Sequence, residues 1–259
     1  ISINPVRTGY SAISDEWIPI KPGTDGALFL ALTNEIIKQG LYDRDFLVNY
    51  SNSPELVNMD ADSSEYGMFV RFEVPPEEGC FDPQNKMWWD RELNRPISTH
   101  TEGADPYLLG EFRLDDGTPV KPAFQLLVDR VKQYSAEWAA EITGIPVATI
   151  KRLAHEMGIT ARDERIELPI PWTDAWGNDH ESVTGNPVAF HAMRGLAAHS
   201  NGFQTIRAMS ILMSILGTID RPGGFRHKAP FPRPIPPCAK PPKGPGDVQA
   251  NTPLNGMPL

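Results

Sequence analysis

The sequence predicts an α/β fold, and three observations indicate this class. An extended apolar segment at residues 18–20 is followed by a glycine turn and an apolar run at 27–32, which is the order strand, turn, buried helix. Hydrophobic residues make up 40% of the 259 residues, enough for a substantial core. Proline occurs 26 times and favours many irregular connections. Folds of this class bind ligands at the carboxyl ends of their strands.

The first helix and a long insertion follow this strand. The helix is predicted to end near Gly40, and a short helix follows at 43–48. Residues 51–122 are rich in proline, glycine and aromatic residues and predict a loop-rich insertion. Its aromatic pair, Trp88 and Trp89, either lines a channel or pins the insertion to the core.

Helical periodicity returns after the insertion. A hairpin turn at 114–118 is followed by three helices between residues 122 and 158. Alternating residues then predict strands at 165–171 and 187–191. A long apolar helix comes next and ends at Gly217, a residue type that commonly terminates helices.

Composition narrows the possible functions. The net charge of -9 argues against nucleic acid or an anionic membrane as the main partner. The two cysteines are too few for the four-cysteine cradle of an iron–sulfur cluster. No stretch is apolar enough to span a bilayer, and the first residues lack the basic segment of a signal peptide. We expect an internal piece of a longer protein, with one α/β domain at residues 1–188 and the start of a second, ending in a proline-rich segment, at 189–259.

The turn before the first helix is the first candidate binding site. Gly23 allows a tight turn, and Thr24 or Asp25 is a favourable N-cap for the helix. The free N–H groups of a helix N-terminus bind oxyanions. The Asp25 carboxylate can accept two hydrogen bonds from one planar donor edge, such as that of guanine. Capping alone is the alternative role of these residues.

A second polar stretch precedes the last helix, where His191, Arg194, Gly195 and His199 gather. Three interpretations remain open. Two histidines without nearby carboxylates or thiolates are weak evidence for a metal site. An ordinary structural loop is the second interpretation. In the third, Arg194 binds an anion through its planar fork and His199 donates to a pterin acceptor.

The first of these sites resembles a recurrent segment of a known family. Residues 3–8 (Ile-Asn-Pro-Val-Arg-Thr) and 18–25 (Ile-Pro-Ile-Lys-Pro-Gly-Thr-Asp) are similar to the molybdopterin-dependent oxidoreductases of the dimethyl sulfoxide reductase family. That family holds the guanosine end of a molybdopterin guanine dinucleotide with Asp-Pro-Arg and Pro-Gly-Thr-Asp motifs. Here Asn4 replaces the first aspartate, and the arginine follows one position later as Arg7.

The second stretch is similar to the family's other cofactor-facing loop. It has the pattern Gly-x-x-x-His-x-x-Gly, then a helix, then Gly-x-Ile-x-x-Pro-Gly. Many members have methionine and glutamine where this chain has Arg194 and Ala198. Loss of the glutamine removes one expected pterin contact, and Arg194 adds a positive charge that suits a sulfur oxyanion. Residues 166–174, 190–203 and 230–237 resemble the catalytic subunits of cytoplasmic, membrane-attached sulfite dehydrogenases.

The resemblance implies a set of site residues. The cofactor-binding candidates are Asn4, Arg7, Gly23, Thr24, Asp25, Gly195, His199 and Asn201, the catalytic candidates are His191 and Arg194, and no residue is assigned as a metal ligand.

The function implied by the resemblance belongs to a larger protein. The chain would be an internal fragment of the catalytic subunit of a molybdenum bis(molybdopterin guanine dinucleotide) oxidoreductase acting on a sulfur oxyanion such as sulfite. The 4Fe-4S cluster and the molybdenum ligand would lie outside it, so that the fragment alone is inactive. The resemblance also implies a cytoplasmic location and two partners, an iron–sulfur electron-transfer subunit together with a membrane anchor subunit. A non-catalytic nucleotide-binding domain and a purely structural role are the alternatives.

Overall fold

Helices dominate the structure, and short strands connect them. The computed structural model of the chain describes residues 1–72, 86–99, 101–173, 177–192 and 194–225. In chain order the elements are β1 (Ser2–Ile3), a 3-10 helix (Gly9–Ala12), β2 (Trp17–Ile18), α1 (Asp25–Lys38), α2 (Arg44–Tyr50), β3 (Leu56–Asn58), β4 (Met87–Trp89), β5 (Pro96–Ser98), β6 (Phe112–Arg113), β7 (Pro119–Pro122), α3 (Ala123–Val131), α4 (Ala136–Thr143), α5 (Val147–Arg162), β8 (Ile166–Leu168), β9 (Trp172–Thr173), β10 (Asp179–His180), β11 (Val183–Gly185), α6 (Arg194–Ala197) and α7 (Gly202–Ile215).

The strands form small sheets. β1 and β2 are parallel, with Ile3 opposite Ile18, and their carboxyl ends lead towards α1. β3, β7 and β6 form an antiparallel sheet in that order, and β4–β5, β8–β11 and β9–β10 are antiparallel pairs. The predicted α/β class is confirmed, and within the described residues its sheets have two or three strands each.

The main core surrounds α1, which packs against α3, α4, α5 and α7. α1 contributes Leu28, Leu32 and Ile36, which are almost fully buried because they recur at helical spacing on one face. α5 and α7 supply Leu153 and Leu212 from the other side. Each such side chain contributes about 1.5–3 kcal/mol to folding when it leaves water, so this core is the main source of stability.

The helices α1 and α7 lie side by side and run in the same direction. Near their first turns, a Cβ atom at Gly26 would lie 3.1 Å from Thr205 Oγ1. Beyond their last turns, the Asp43 N–H donates to the Ile215 carbonyl at 2.8 Å. The two N-termini therefore open at the same end of the structure.

A buried polar cluster fixes the opposite end of this helix pair. Asp43 Oδ1 caps α2 by accepting from the Phe46 N–H at 2.9 Å. Asp43 Oδ2 accepts from Asn186 Nδ2 at 2.8 Å and from Arg165 Nη2 at 3.1 Å. Asn186 Nδ2 also donates to the Leu216 carbonyl, just after α7, at 2.9 Å. One carboxylate thus joins α2, the β8–β11 pair and the end of α7.

The insertion has a small core of its own. Leu56, Met87, Trp89 and Val120 are buried together, and Trp89 stacks on Phe112 with ring centroids 4.6 Å apart. Trp89 therefore packs inside the insertion's own core, and this packing does not attach the insertion to the main core as the sequence-based alternative proposed. The predicted hairpin turn is also present, because the Leu114 N–H donates to the Thr118 carbonyl at 3.0 Å between β6 and β7.

The segment between β11 and α6 departs from one sequence-based expectation. The predicted strand at 187–191 is wrong, since the structure has no strand there; Pro187 has no N–H to donate to a ladder. The division into domains at residue 188 stays a prediction. Within the described residues, α7 packs on α1 and both belong to one compact unit, Ile1–Phe225. Predictions that concern residues 73–85 and 226–259, including the proline-rich end, lie outside the described residues.

Replacement of Asp43 by alanine tests the role of the buried cluster. The Asp43→Ala change removes the α2 cap and leaves the buried Asn186 amide and the more exposed Arg165 guanidinium without their carboxylate, so we expect the free energy of unfolding to fall by about 3 kcal/mol. Urea denaturation measures this loss. The matched control is Asp45→Ala, which removes an exposed carboxylate from the first turn of the same helix. Equal effects of the two substitutions would contradict the assigned role.

Candidate functional site at two helix N-termini

The turn that precedes α1 is not capped in the way the sequence predicted. Gly23 has φ +77°, a left-handed conformation that favours glycine. Thr24 occupies the N-cap position, but its side chain makes no capping hydrogen bond; its hydroxyl donates to the Lys21 carbonyl at 2.7 Å. Asp25 is the first residue of the helix itself. Thr24 therefore occupies the predicted N-cap position, but its hydroxyl closes the preceding turn instead of bonding to the first turn of α1.

The turn that precedes α7 also lacks a side-chain cap. Asn201 occupies the N-cap position and its side chain makes no capping hydrogen bond. Its Nδ2 donates to the Gly23 carbonyl at 3.0 Å, across 178 residues of sequence. Gly202 follows in a tight space, since a Cβ there would lie 2.2 Å from the Ala197 carbonyl oxygen. Only glycine fits this turn between α6 and α7.

The two candidate stretches form one site. Besides the bond between Asn201 and Gly23, the His199 ring faces the Gly23 turn, and a Cβ at Gly23 would lie 3.3 Å from His199 Nδ1. We call the group of Gly23, Thr24, Asp25, His199 and Asn201 the mouth. Its members come from two segments that are far apart in the sequence and that the sequence patterns alone did not connect.

The electrostatics of the mouth combine a positive field with one carboxylate. The parallel helices α1 and α7 both present their N-termini there, and helix N-termini attract anions through free N–H groups and the helix dipole. Asp25 is half-buried. Burial raises the pKa of its carboxyl above the ordinary 3.8, while its own backbone N–H and the nearby His199 act in the opposite direction. The mouth thus offers helix N–H donors for an anionic group of a ligand. Beside them, the Asp25 carboxylate can accept hydrogen bonds from the same ligand.

Asn4 and Arg7 lie at the carboxyl end of β1. The Asn4 N–H donates to the Ile18 carbonyl at 3.1 Å, and its own carbonyl accepts from Trp17 Nε1, also at 3.1 Å. Asn4 also borders a shallow cleft that is open to solvent, together with Thr8 and Ile13. Arg7 is exposed close by in sequence. Neither residue belongs to the contacts that define the mouth.

The remaining predicted residues lie on the approach to α7. His191 is exposed in the extended segment before α6, and Arg194 is the exposed first residue of α6. No described atom lies within 4 Å of where a Cβ at Gly195 would be, so packing among the described residues does not explain this glycine. These three residues flank the mouth in sequence rather than forming it.

Sequence reasoning missed two residues that shape the site. Gly26 and Thr205 allow the first turns of α1 and α7 to approach closely. A glycine inside the first turn of a helix was the available signal, because that position often marks a close backbone approach.

The described residues also limit the class of site. In that part of the chain, no three histidine, cysteine, aspartate or glutamate side chains are grouped closely enough to hold a metal ion. Among the helices described, none combines the length and the hydropathy that a membrane crossing requires.

Comparison with known proteins identifies relatives. The chain is 71% identical to a sulfite dehydrogenase subunit of Allochromatium vinosum over its whole length, which is 27% of that protein. It is 28% identical to dopamine dehydroxylase of Eggerthella lenta, over 87% of this chain and 28% of the relative. The solved structure of acetylene hydratase from Pelobacter acetylenicus matches with a TM-score of 0.44 and 20% identity, over 85% of this chain and 17% of that one.

The chain therefore spans little more than a quarter of the length of these curated relatives. The family model for molybdopterin oxidoreductases matches residues 1–250, which is nearly all of it. The chain belongs to the molybdopterin oxidoreductase family.

Proposed function

We propose that the mouth binds the guanine end of a molybdopterin guanine dinucleotide in the parent protein. The observation that carries this proposal is the half-buried Asp25, which starts a helix whose N-cap side chain makes no capping bond and which lies beside a second such helix. A carboxylate in this position is available to a ligand. Its two oxygens match the N1–H and N2–H donors of a guanine edge.

The donor set fits the rest of a dinucleotide. The first-turn N–H groups of α1 and α7 suit phosphate oxygens, which helix N-termini bind readily. Asn4 and Arg7, at the carboxyl end of β1, would bind the guanosine side near the open cleft. Gly195 and His199 would face the pterin, whereas the Asn201 amide already donates to the Gly23 carbonyl. His199 has ring N–H groups for a pterin acceptor, and Gly195 leaves room for close approach.

The parent protein would be the catalytic subunit of a molybdenum oxidoreductase that acts on a sulfur oxyanion such as sulfite. The family membership and the 71% identity to a sulfite dehydrogenase subunit support this proposal. When bound, the molybdenum centre supplies two-electron oxygen-atom transfer. This chain would bind and orient the cofactor, and the exposed Arg194 guanidinium, with His191 nearby in sequence, would attract the anionic substrate.

The parent's other components are proposals of the same kind. The cofactors would be a second guanine dinucleotide arm and a 4Fe-4S cluster ligated outside this fragment. The partners would be an iron–sulfur electron-transfer subunit and a membrane anchor subunit. The relative from Allochromatium vinosum is itself named as one subunit of its enzyme, which supports a multisubunit parent. A cytoplasmic location is proposed with them, and the fragment alone would be inactive.

Metal and nucleotide analysis of the parent protein, purified from its natural source, tests the proposed class. We expect molybdenum together with about two released GMP per metal ion, because each of two pterin arms carries one guanine nucleotide. Nucleotide without molybdenum would favour a non-catalytic nucleotide-binding domain. If folded, full-length protein carried neither, the enzyme proposal would be wrong.

Replacement of Asp25 by alanine tests the guanine assignment. In the full-length parent, Asp25→Ala should lower the GMP and molybdenum content per protein together, because the guanine nucleotide is covalently part of the cofactor whose binding is weakened. The free energy of unfolding should change by less than the roughly 1 kcal/mol of a lost cap. The matched control is Asp45→Ala, since Asp45 also lies in the first turn of a helix. A full GMP content in Asp25→Ala would contradict the assignment.

The pH dependence of nucleotide retention provides a further check. Protonation removes one of the two acceptors that Asp25 offers, and burial raises the pKa of this carboxyl above 3.8. Retention is therefore complete while Asp25 is ionised and falls as the pH drops through the raised pKa, earlier than for an ordinary aspartate. GMP release between about pH 7 and pH 4 measures this. The Asp25→Asn variant should release GMP faster, and its release should not depend on pH in this range. If the variant kept the pH dependence, another titrating group would be responsible for it.

A further inference from the structure

We infer that Asn201 is a positioning residue for Asp25: it holds the Gly23 turn in place and thereby aims the carboxylate that the proposed function assigns to guanine. This inference rests on the proposed function of the mouth. It assigns Asn201 a role different from the direct cofactor contact implied by the sequence resemblance.

The hydrogen bonding of Asn201 carries the inference. Asparagine at an N-cap ordinarily accepts from its own first turn, which stabilises the helix. Asn201 does not do so, and its Nδ2 donates instead to the Gly23 carbonyl at 3.0 Å. The Asn201 side chain therefore stabilises a turn that is distant in sequence, rather than the start of α7.

The turn it contacts is the part of the site that needs an external constraint. Gly23 has a positive φ, and glycine has more accessible backbone conformations than any other residue. Thr24 closes the turn through the Lys21 carbonyl, which is a local bond within the same loop. Asp25 follows Gly23 by two residues, so a rotation at Gly23 would redirect its carboxylate.

The other side of the contact is rigid. Gly202 is buried and lies against the Ala197 carbonyl in a space that admits no side chain. Thr205, one turn further along α7, lies against Gly26 of α1. Asn201 thus lies at a well-packed helix start. Through its hydrogen bond it can restrict the backbone of the less constrained Gly23 turn. The His199 ring covers the same turn and limits the space into which Gly23 could move.

A double-mutant cycle on the full-length holoenzyme tests the inference. The variants are Asn201→Ala, Asp25→Ala and the double variant, and the measurement is the rate at which GMP-bearing cofactor is lost after dilution. Asn201→Ala should speed this loss by about tenfold, as removal of a supporting hydrogen bond typically does. In the Asp25→Ala background the same substitution should have no further effect, because Asn201 acts through Asp25.

Two further variants separate positioning from folding. Asn201→Asp keeps the size of the side chain but cannot donate, so it should lose cofactor as fast as Asn201→Ala. The matched control is Asn49→Ala, which removes an exposed amide that donates to the Asp45 carbonyl at 2.9 Å and should leave cofactor loss unchanged. The thermal midpoint of the cofactor-free protein should be similar for all single variants.

The outcomes distinguish the two proposals. If the effects of Asn201→Ala and Asp25→Ala multiply, Asn201 binds the cofactor independently and the inference is wrong. The same holds if Asn201→Ala lowers the thermal midpoint without faster cofactor loss. If Asp25→Ala accelerates the loss and Asn201→Ala does not, only the inference fails. If Asp25→Ala itself has no effect, the guanine assignment fails and the inference fails with it.

Discussion

The parallel packing of α1 and α7 is the constraint on which the candidate site depends. Side chains at the helix starts must be small enough for close approach, and Gly26 against Thr205 meets this requirement. At the far end, the backbone bond from Asp43 to Ile215 sets the register of the pair. Because one contact joins the two helix starts and the other ties the segment after α1 to the last turn of α7, together they hold the N-termini at the same end. Neither turn would form a two-sided mouth alone.

The two ends of this helix pair use polar groups in opposite ways. At the C-terminal end, Asp43 is buried and its oxygens are matched by Asn186, Arg165 and the first turn of α2. Buried polar groups that are fully paired rigidify a structure. At the N-terminal end, the first turns lack side-chain caps. A helix pair that is rigid at its C-terminal end and uncapped at its N-terminal end is suited to hold a ligand in a fixed orientation.

The local part of the fold was predictable, and the long-range part was not. Apolar periodicity predicts α1, α3, α5 and α7, and Ser135 caps α4 as expected from its position. These features depend on residues within a few turns of one another. The contact between Asn201 and Gly23 spans 178 residues, and nothing in either segment indicates the other. Resemblance to a known family suggested both segments as cofactor-facing, but it did not indicate that they touch.

The absent side-chain caps are informative because both helices lack them in the same way. Thr24 and Asn201 are residue types that cap helices well, and each occupies an N-cap position, yet each hydrogen-bonds to a loop carbonyl instead. A cap contributes about 1 kcal/mol, so leaving two unused costs stability at adjacent helix ends. Natural sequences usually break local rules of this kind at functional sites. The first turns therefore lack side-chain acceptors at the point where Asp25 offers its carboxylate, which suits the guanine nucleotide that we propose there.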